Sequence, residues 1–306
     1  MLTRLLDLPS ELLLQILATL PVKPLLRFAQ TSHYARSLAY SNLQSLSLAI
    51  YPSHRSSWHN KLFIAQHKPK HALHAAIQIP RAWDFDYTTL LTFHNKIVAS
   101  ILSRHASVLQ KLELTFWTLS IPIARAIAKL PALKELNICI ETVQAVPRAY
   151  MNVQRKEEGK AWALLPCSPS WTHLIHTLRI ENAKINTSQL HCLIAGAGRL
   201  RELALRKCDM LTSSLWDTER LSSLRHLSIT DCANVHANST ALEAISKMQR
   251  LKVLDLHGCS GLDGEVLEQW NRDVWRVPLF VAPRPRGMLK EEVHIEVDPD
   301  YLLEQD

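Results

Sequence analysis

A chain of 306 residues, 47% hydrophobic and 21% charged, has the balance of a folded globular protein of about two domains, which excludes disordered and membrane-embedded classes. Its formal charge of +7 is uneven: residues 1–110 hold 11 Lys/Arg against 4 Asp/Glu, whereas residues 111–306 hold 24 of each. A bias of that size suits many partners and does not single out nucleic acid.

The opening run Met1–Pro21 is rich in leucine, but Arg4, Asp7 and Glu11 interrupt it and Pro9 divides it. It therefore lacks the continuous stretch of about 20 apolar residues that crosses a bilayer, and the single apolar region of a secretory signal. The cytosol or nucleus is the expected compartment. A helix is predicted to start around Asp7-Leu8-Pro9-Ser10-Glu11, with Asp7 or Ser10 as cap and Glu11 at the positive end of the dipole. Leu12, Leu13, Ile16, Leu17 and Leu20 recur at helical spacing and form one apolar stripe, which Pro21 ends. Lys23-Pro24 opens a second helix with Leu25, Leu26 and Ala29 on one face; Ser32 caps a third that carries Tyr34, Leu38 and Ala39. Three short helices cannot bury their own apolar faces, so part of the stripe is expected to meet another protein or the rest of the chain.

The order Leu8-Pro9-x-Glu11-Leu12-Leu13-x-x-Ile16-Leu17-x-x-Leu20, then Leu25-Leu26-Arg27-Phe28-Ala29, then Ser32 and Arg36-Ser37-Leu38, resembles the F-box family over residues 5–42. The resemblance implies docking onto the Skp-family adaptor of a cullin–RING ubiquitin ligase through Leu8, Pro9, Leu12, Ile16, Leu17, Leu20, Leu25 and Leu26. It departs from the family at Ala35, near where a tryptophan is usual, so the first helix is expected to carry docking and the third to serve the junction that follows.

Beyond the helices, L-x-x-L-x-L recurs with apolar substitutes, beginning at Leu43, Leu109, Leu133, Ile175, Leu200, Leu224 and Leu251. The last three copies carry Cys208, Cys232 and Cys259 at one common offset. Each L-x-L reads as a short strand with its leucines in the core, the cysteine in the turn that leaves it, and a helix returning to the next strand. Ser239–Met248 and Asp263–Trp270 are candidate return helices, and Leu279–Val281 a last strand. The pattern resembles leucine-rich repeats of the cysteine-containing type, which implies an α/β fold: a three-helix F-box, then a curved solenoid over residues 43–282 with a parallel sheet on its concave face and helices outside. Two intervals are long. That near 52–108 is expected to hold a degenerate extra repeat, with Ile77-x-Ile79 as its strand and a helix across Thr88–Ser107. That near 141–170, with its charged run Arg155–Lys160, is either a solvated loop or a part of the binding surface. Residues 283–306 read as a linker and an acidic tail.

None of the six cysteines forms a C-x-x-C pair, so free thiols are expected, those of the repeats in structural roles. The sequence has no G-x-S-x-G, H-E-x-x-H, P-loop or G-x-G-x-x-G, so neither catalysis nor a cofactor is expected. His67, His71 and His74 have helical spacing but Pro69 separates the first two and no carboxylate or cysteine is near, so no metal is expected. The basic stretch from His54 to His74 around Trp58 and Phe63 is the only case for nucleic acid, and no known module accompanies it. Residues flanking the strand leucines point to the other face of the sheet: Lys111, Glu113, Glu135, Asn137, Arg179, Glu181, Glu202, Arg206, His226, Thr230, Asp255 and His257. The expected function is that of a non-catalytic receptor that holds the adaptor, and through it a cullin, at one end and a target protein on this face. The alternative is a scaffold outside any ligase, its first helices capping the repeats.

Overall fold

Why these residues fold as they do is clearest at the first helix. The Pro9 carbonyl accepts the amides of Leu12 and Leu13 at 3.1 Å each, so the proline stands just ahead of α1 (Ser10–Ala18), where its missing N–H costs nothing. Helices α2 (Val22–Ala29) and α3 (His33–Ser41) follow, the last capped by Ser32 Oγ, which accepts the Ala35 amide at 3.0 Å. The computed structural model describes residues 8–18, 20, 22–41, 43–52, 74–79, 81–141, 150–167, 169–217, 219–236, 239–259 and 263–283. Asp7, His67 and His71, most of the basic stretch after His54, and the acidic tail lie outside them.

Among the described residues, nine strands then build one parallel sheet: β1 (Ser45–Pro52), β2 (His74–Ile79), β3 (Lys111–Phe116), β4 (Glu135–Ile140), β5 (Thr177–Glu181), β6 (Glu202–Arg206), β7 (His226–Thr230), β8 (Val253–Asp255) and β9 (Leu279–Val281). Their order is β2-β1-β3-β4-β5-β6-β7-β8-β9. From β4 onward each strand lies beside its predecessor, with register matching leucine to leucine: Leu112 to Leu136, Leu178 to Leu203, Leu203 to Leu227. The strand over Ile77 and Ile79 forms, but not between β1 and β3. It adds to the outer side of β1, so β1 pairs β3 directly and the long interval is an edge addition, not an interposed repeat. Helix α4 (Tyr87–Arg104) returns the chain from β2, capped by Asp86, whose carboxylate accepts the Thr89 amide at 3.3 Å.

The remaining returns are α5 (Ile121–Ala128), α6 (Met151–Leu164), α7 (Thr187–Ile194), α8 (Ser239–Ser246) and α9 (Gly264–Trp270). Between β6 and β7 two 3₁₀ segments, Ser213–Asp217 and Glu219–Ser223, stand in place of an α-helix. The charged run after Glu141 is not a solvated loop: it lies in α6, which buries Gln154, Glu158, Ala161 and Trp162. Gln154 Nε2 donates to the Trp117 carbonyl at 3.0 Å, which ties α6 to the end of β3.

From β5 to β8 each strand leaves through a residue with left-handed backbone: Asn182, Lys207, Asp231 and Gly258, at φ between 51° and 73°. A side chain there costs about 1–2 kcal/mol. Lateral bonds offset this, since the amides of Asn182, Lys207 and Asp231 each donate at 2.9 Å to a carbonyl of the next unit. The kink turns the following residue inward, so Ala183, Cys208, Cys232 and Cys259 are all buried. The three thiols reach back to strand-end carbonyls, Cys208 to Ile180 at 3.6 Å, Cys232 to Leu205 at 3.8 Å and Cys259 to Ile229 at 3.1 Å. One apolar core runs from Leu13, Leu17 and Leu25 through Leu43 and Leu46 to Leu256 and Leu267.

Candidate functional site

The stripe on α1 is divided by the fold. Leu13 and Leu17 are 1% and 2% exposed, while Leu12 and Ile16 remain 46% and 41% exposed. Pro9 is exposed, and Leu8 and Leu20 are half-buried against the core. Leu17 and Leu25, expected against an adaptor, instead lie in the interior and hold the helices together. The Leu26 side chain lies outside the described residues. Ala35 is buried and its neighbour Tyr34 is 49% exposed, so the spot where a tryptophan is usual has no room for one without repacking. Helix α3 meets the end of α4: the Tyr40 ring stands edge-on to His105 with centroids 4.9 Å apart.

The second surface is the polar face of the sheet, where the strand residues alternate with the buried leucines. Eleven of the twelve residues expected there, from Lys111 to Asp255, lie on β3–β8, but most of the charged ones are spent on each other. Lys111 Nζ pairs with Glu135 at 2.7 Å, Arg206 with Glu181 at 2.9 Å and with Asp231 at 3.7 Å. Arg179 Nε donates to Glu202 at 2.8 Å and Asn137 Nδ2 to Glu113 at 3.2 Å. Such exposed pairs contribute about 0–1 kcal/mol each, so a partner can exchange them at little cost. His226 is exposed and Thr230 half-buried. His257 lies just past β8, which ends at Asp255; its amide donates to Asp255 Oδ1 at 3.1 Å, and its carbonyl accepts the Asp231 amide at 2.9 Å. Cys139 lies among these residues; burial, then Glu181 and Glu141, push its thiol up to about 12, so it presents no thiolate.

A third surface escaped the residue-by-residue reading. Lys134, His176, Arg201, Arg225 and Lys252 immediately precede β4 to β8 and stack through their backbones: the amides of His176, Arg201 and Arg225 each donate at 2.8 Å to the carbonyl of the preceding one, and that of Lys252 at 2.7 Å. The signal was present in the repeat itself, because the position after the first leucine is basic in five consecutive copies. Only reading the copies as columns exposes it.

Among the described residues, no group of His, Cys, Asp or Glu has the arrangement to hold a metal, and no helix is long and apolar enough to cross a membrane. Residues 5–43 match the F-box domain family. No curated protein matches the chain.

Proposed function

We propose that this chain is the substrate-recognition subunit of a Skp–cullin–F-box ubiquitin ligase, acting in the cytoplasm or nucleus. F-box domains bind Skp-type adaptors within cullin–RING ligases, and residues 5–43 carry that domain. The observation that carries the reading is that this segment leaves Leu12 and Ile16 uncovered on one helix while Leu13 and Leu17 anchor it from behind. Leu8, Pro9 and Leu20 flank them; Leu26 completes the adaptor surface in this reading. We read the strand–helix units as leucine-rich repeats of the cysteine-containing type, curved into a solenoid over residues 43–282 whose polar face presents a target protein. The matched leucine registers, left-handed exits and stacked thiols support it. The chain performs no bond chemistry: holding target and charged conjugating enzyme together raises their effective concentration.

The test is co-purification of the full chain with a Skp-type adaptor. Wild type is expected to retain the adaptor and Leu12→Asp/Ile16→Asp to lose it at unchanged thermal stability; equal retention by both overturns the reading. A second reading, a scaffold whose first helices only cap the repeats, is favoured by the core running unbroken from Leu13 to Leu46 and Leu48. Under it the wild-type chain captures no adaptor, and removing residues 1–40 makes the remainder aggregate.

A further inference from the structure

At the edge of the sheet where β5 to β8 begin, a cavity of about 280 Å³ is lined by His176, Arg199, Arg201, Ser223, Arg225 and Arg250, with Gly198 and Leu200. Five of those side chains are basic and none is a carboxylate. The four arginines are exposed, and none forms an ion pair with a described carboxylate, in contrast to Arg179 and Arg206 on the polar face. Their positions are set by the backbone. Arg201 and Arg225 are joined through amide and carbonyl at 2.8 Å, so their Cα atoms lie about one strand spacing, roughly 4.8 Å, apart. Lys134 and Lys252 extend the row at either end. The concentration of charge is felt by His176, whose imidazole is held below its ordinary range by burial and then by Arg201, Lys134 and Arg199.

We propose that this cavity is a binding site for a phosphoryl group. Arginine forks match the oxygens of phosphate in paired hydrogen bonds, and several forks around one hollow suit a tetrahedral dianion better than a single planar carboxylate. The hollow is below the usual range of about 300–1,000 Å³ for whole small-molecule ligands, which fits a group and not a cofactor. Apart from the imidazole no aromatic ring lines it, so it lacks the stacking platform by which single-stranded nucleic acids are held. The phosphoryl group is borne either by a phosphorylated side chain of a polypeptide or by a free polyphosphate, and Lys134 and Lys252 favour a ligand with further negative charge on its flanks. The site is independent of the adaptor reading, since the cavity lies on β5–β8 and not on the N-terminal helices.

The experiment is a titration of the full-length chain with three probes. These are a peptide pool with a fixed phosphoserine and randomised flanks, the same pool with serine, and inorganic tripolyphosphate. Tight phosphopeptide binding, at least tenfold stronger than the serine pool and weakened at least tenfold by Arg201→Gln/Arg225→Gln, supports the site with a polypeptide source. Tripolyphosphate binding alone, equally sensitive to that variant, supports it with a free source. Arg250→Gln, at a position that is not itself a rung of the backbone ladder, is expected to weaken the same probe and guards against misfolding of the double variant. Binding of every probe at one affinity, no binding, or binding that neither variant moves overturns the proposal; so does a single-stranded oligonucleotide that outcompetes both phosphoryl probes.

Discussion

On α6 the indole of Trp162 donates to Glu158 Oε1 at 3.1 Å, and the backbone amide of Lys184 donates to the same oxygen at 2.7 Å. A carboxylate from the charged run thus ties its helix to the exit of β5. Burial raises its pKa above the ordinary carboxylate value, and the two hydrogen bonds work against that shift.

Glu158→Ala removes the acceptor of two interior donors and is expected to cost about 2–4 kcal/mol in denaturant unfolding. Glu158→Gln keeps the oxygen and loses the charge. Since the folded state binds its proton more tightly than the unfolded state, wild-type stability falls as pH rises from about the ordinary carboxylate value through the raised one. The Gln variant lacks that slope and equals or exceeds wild type at neutral pH. Equal losses for Ala and Gln would show that the charge, not the acceptor, matters.

His94 is buried, stacked on Trp117 with centroids 4.9 Å apart and planes 15° from parallel, and burial lowers its pKa to about 4. The unfolded chain therefore binds more protons than the folded chain between roughly pH 6.5 and about 4, and stability falls as pH drops through that window, by about 3 kcal/mol at most. His105 acts in the same direction. Urea midpoints measured across this range should decline for wild type and decline less for His94→Phe.

The two sides of α1 should separate stability from docking. Leu13→Ala and Leu17→Ala open space in the core and are expected to lose about 2–5 kcal/mol each. Leu12→Ala and Ile16→Ala should change stability by no more than about 0.5 kcal/mol. Thermal melts decide; a large loss for Leu12→Ala would mean that the exposed side is covered by the chain itself.

Cys167 and Cys192 are exposed, Cys139 is half-buried, and Cys208, Cys232 and Cys259 are buried. Burial pushes the Cys259 thiol up to about 12; the hydrogen bond between Cys208 and Cys232, then burial, raises Cys208, while the same bond lowers Cys232, which its burial still shields from reagent. A thiol reagent on native protein should modify Cys167 and Cys192 quickly and leave the three stacked thiols untouched until denaturant is added, as peptide mapping would show. Rapid native labelling of Cys232 would contradict the stack.

Local pattern was enough for the helices of residues 10–41 and for the strands. The apolar period and Ser32 announce the former, and seven L-x-x-L-x-L copies the latter; Asp263 caps α9 where the sequence suggested. These signals lie within a few residues of one another, so backbone geometry alone translates them into structure. What they do not encode is which neighbour covers which face. Leu12 and Leu13 have the same chemistry, yet one is exposed and the other buried because α3 packs on one side of α1 only. Nothing in Ile77-x-Ile79 says that its strand joins the outer edge of β1, a choice made by what β3 already occupies. The charged run could not be told from a loop until Trp162 and Lys184 supplied partners for Glu158. The polar face looked like an open set of charges from Lys111 to Asp255, and the register decided that they pair. Residue type and period set the elements by themselves; burial and pairing depend on atoms distant in sequence, and those only the tertiary structure brings together.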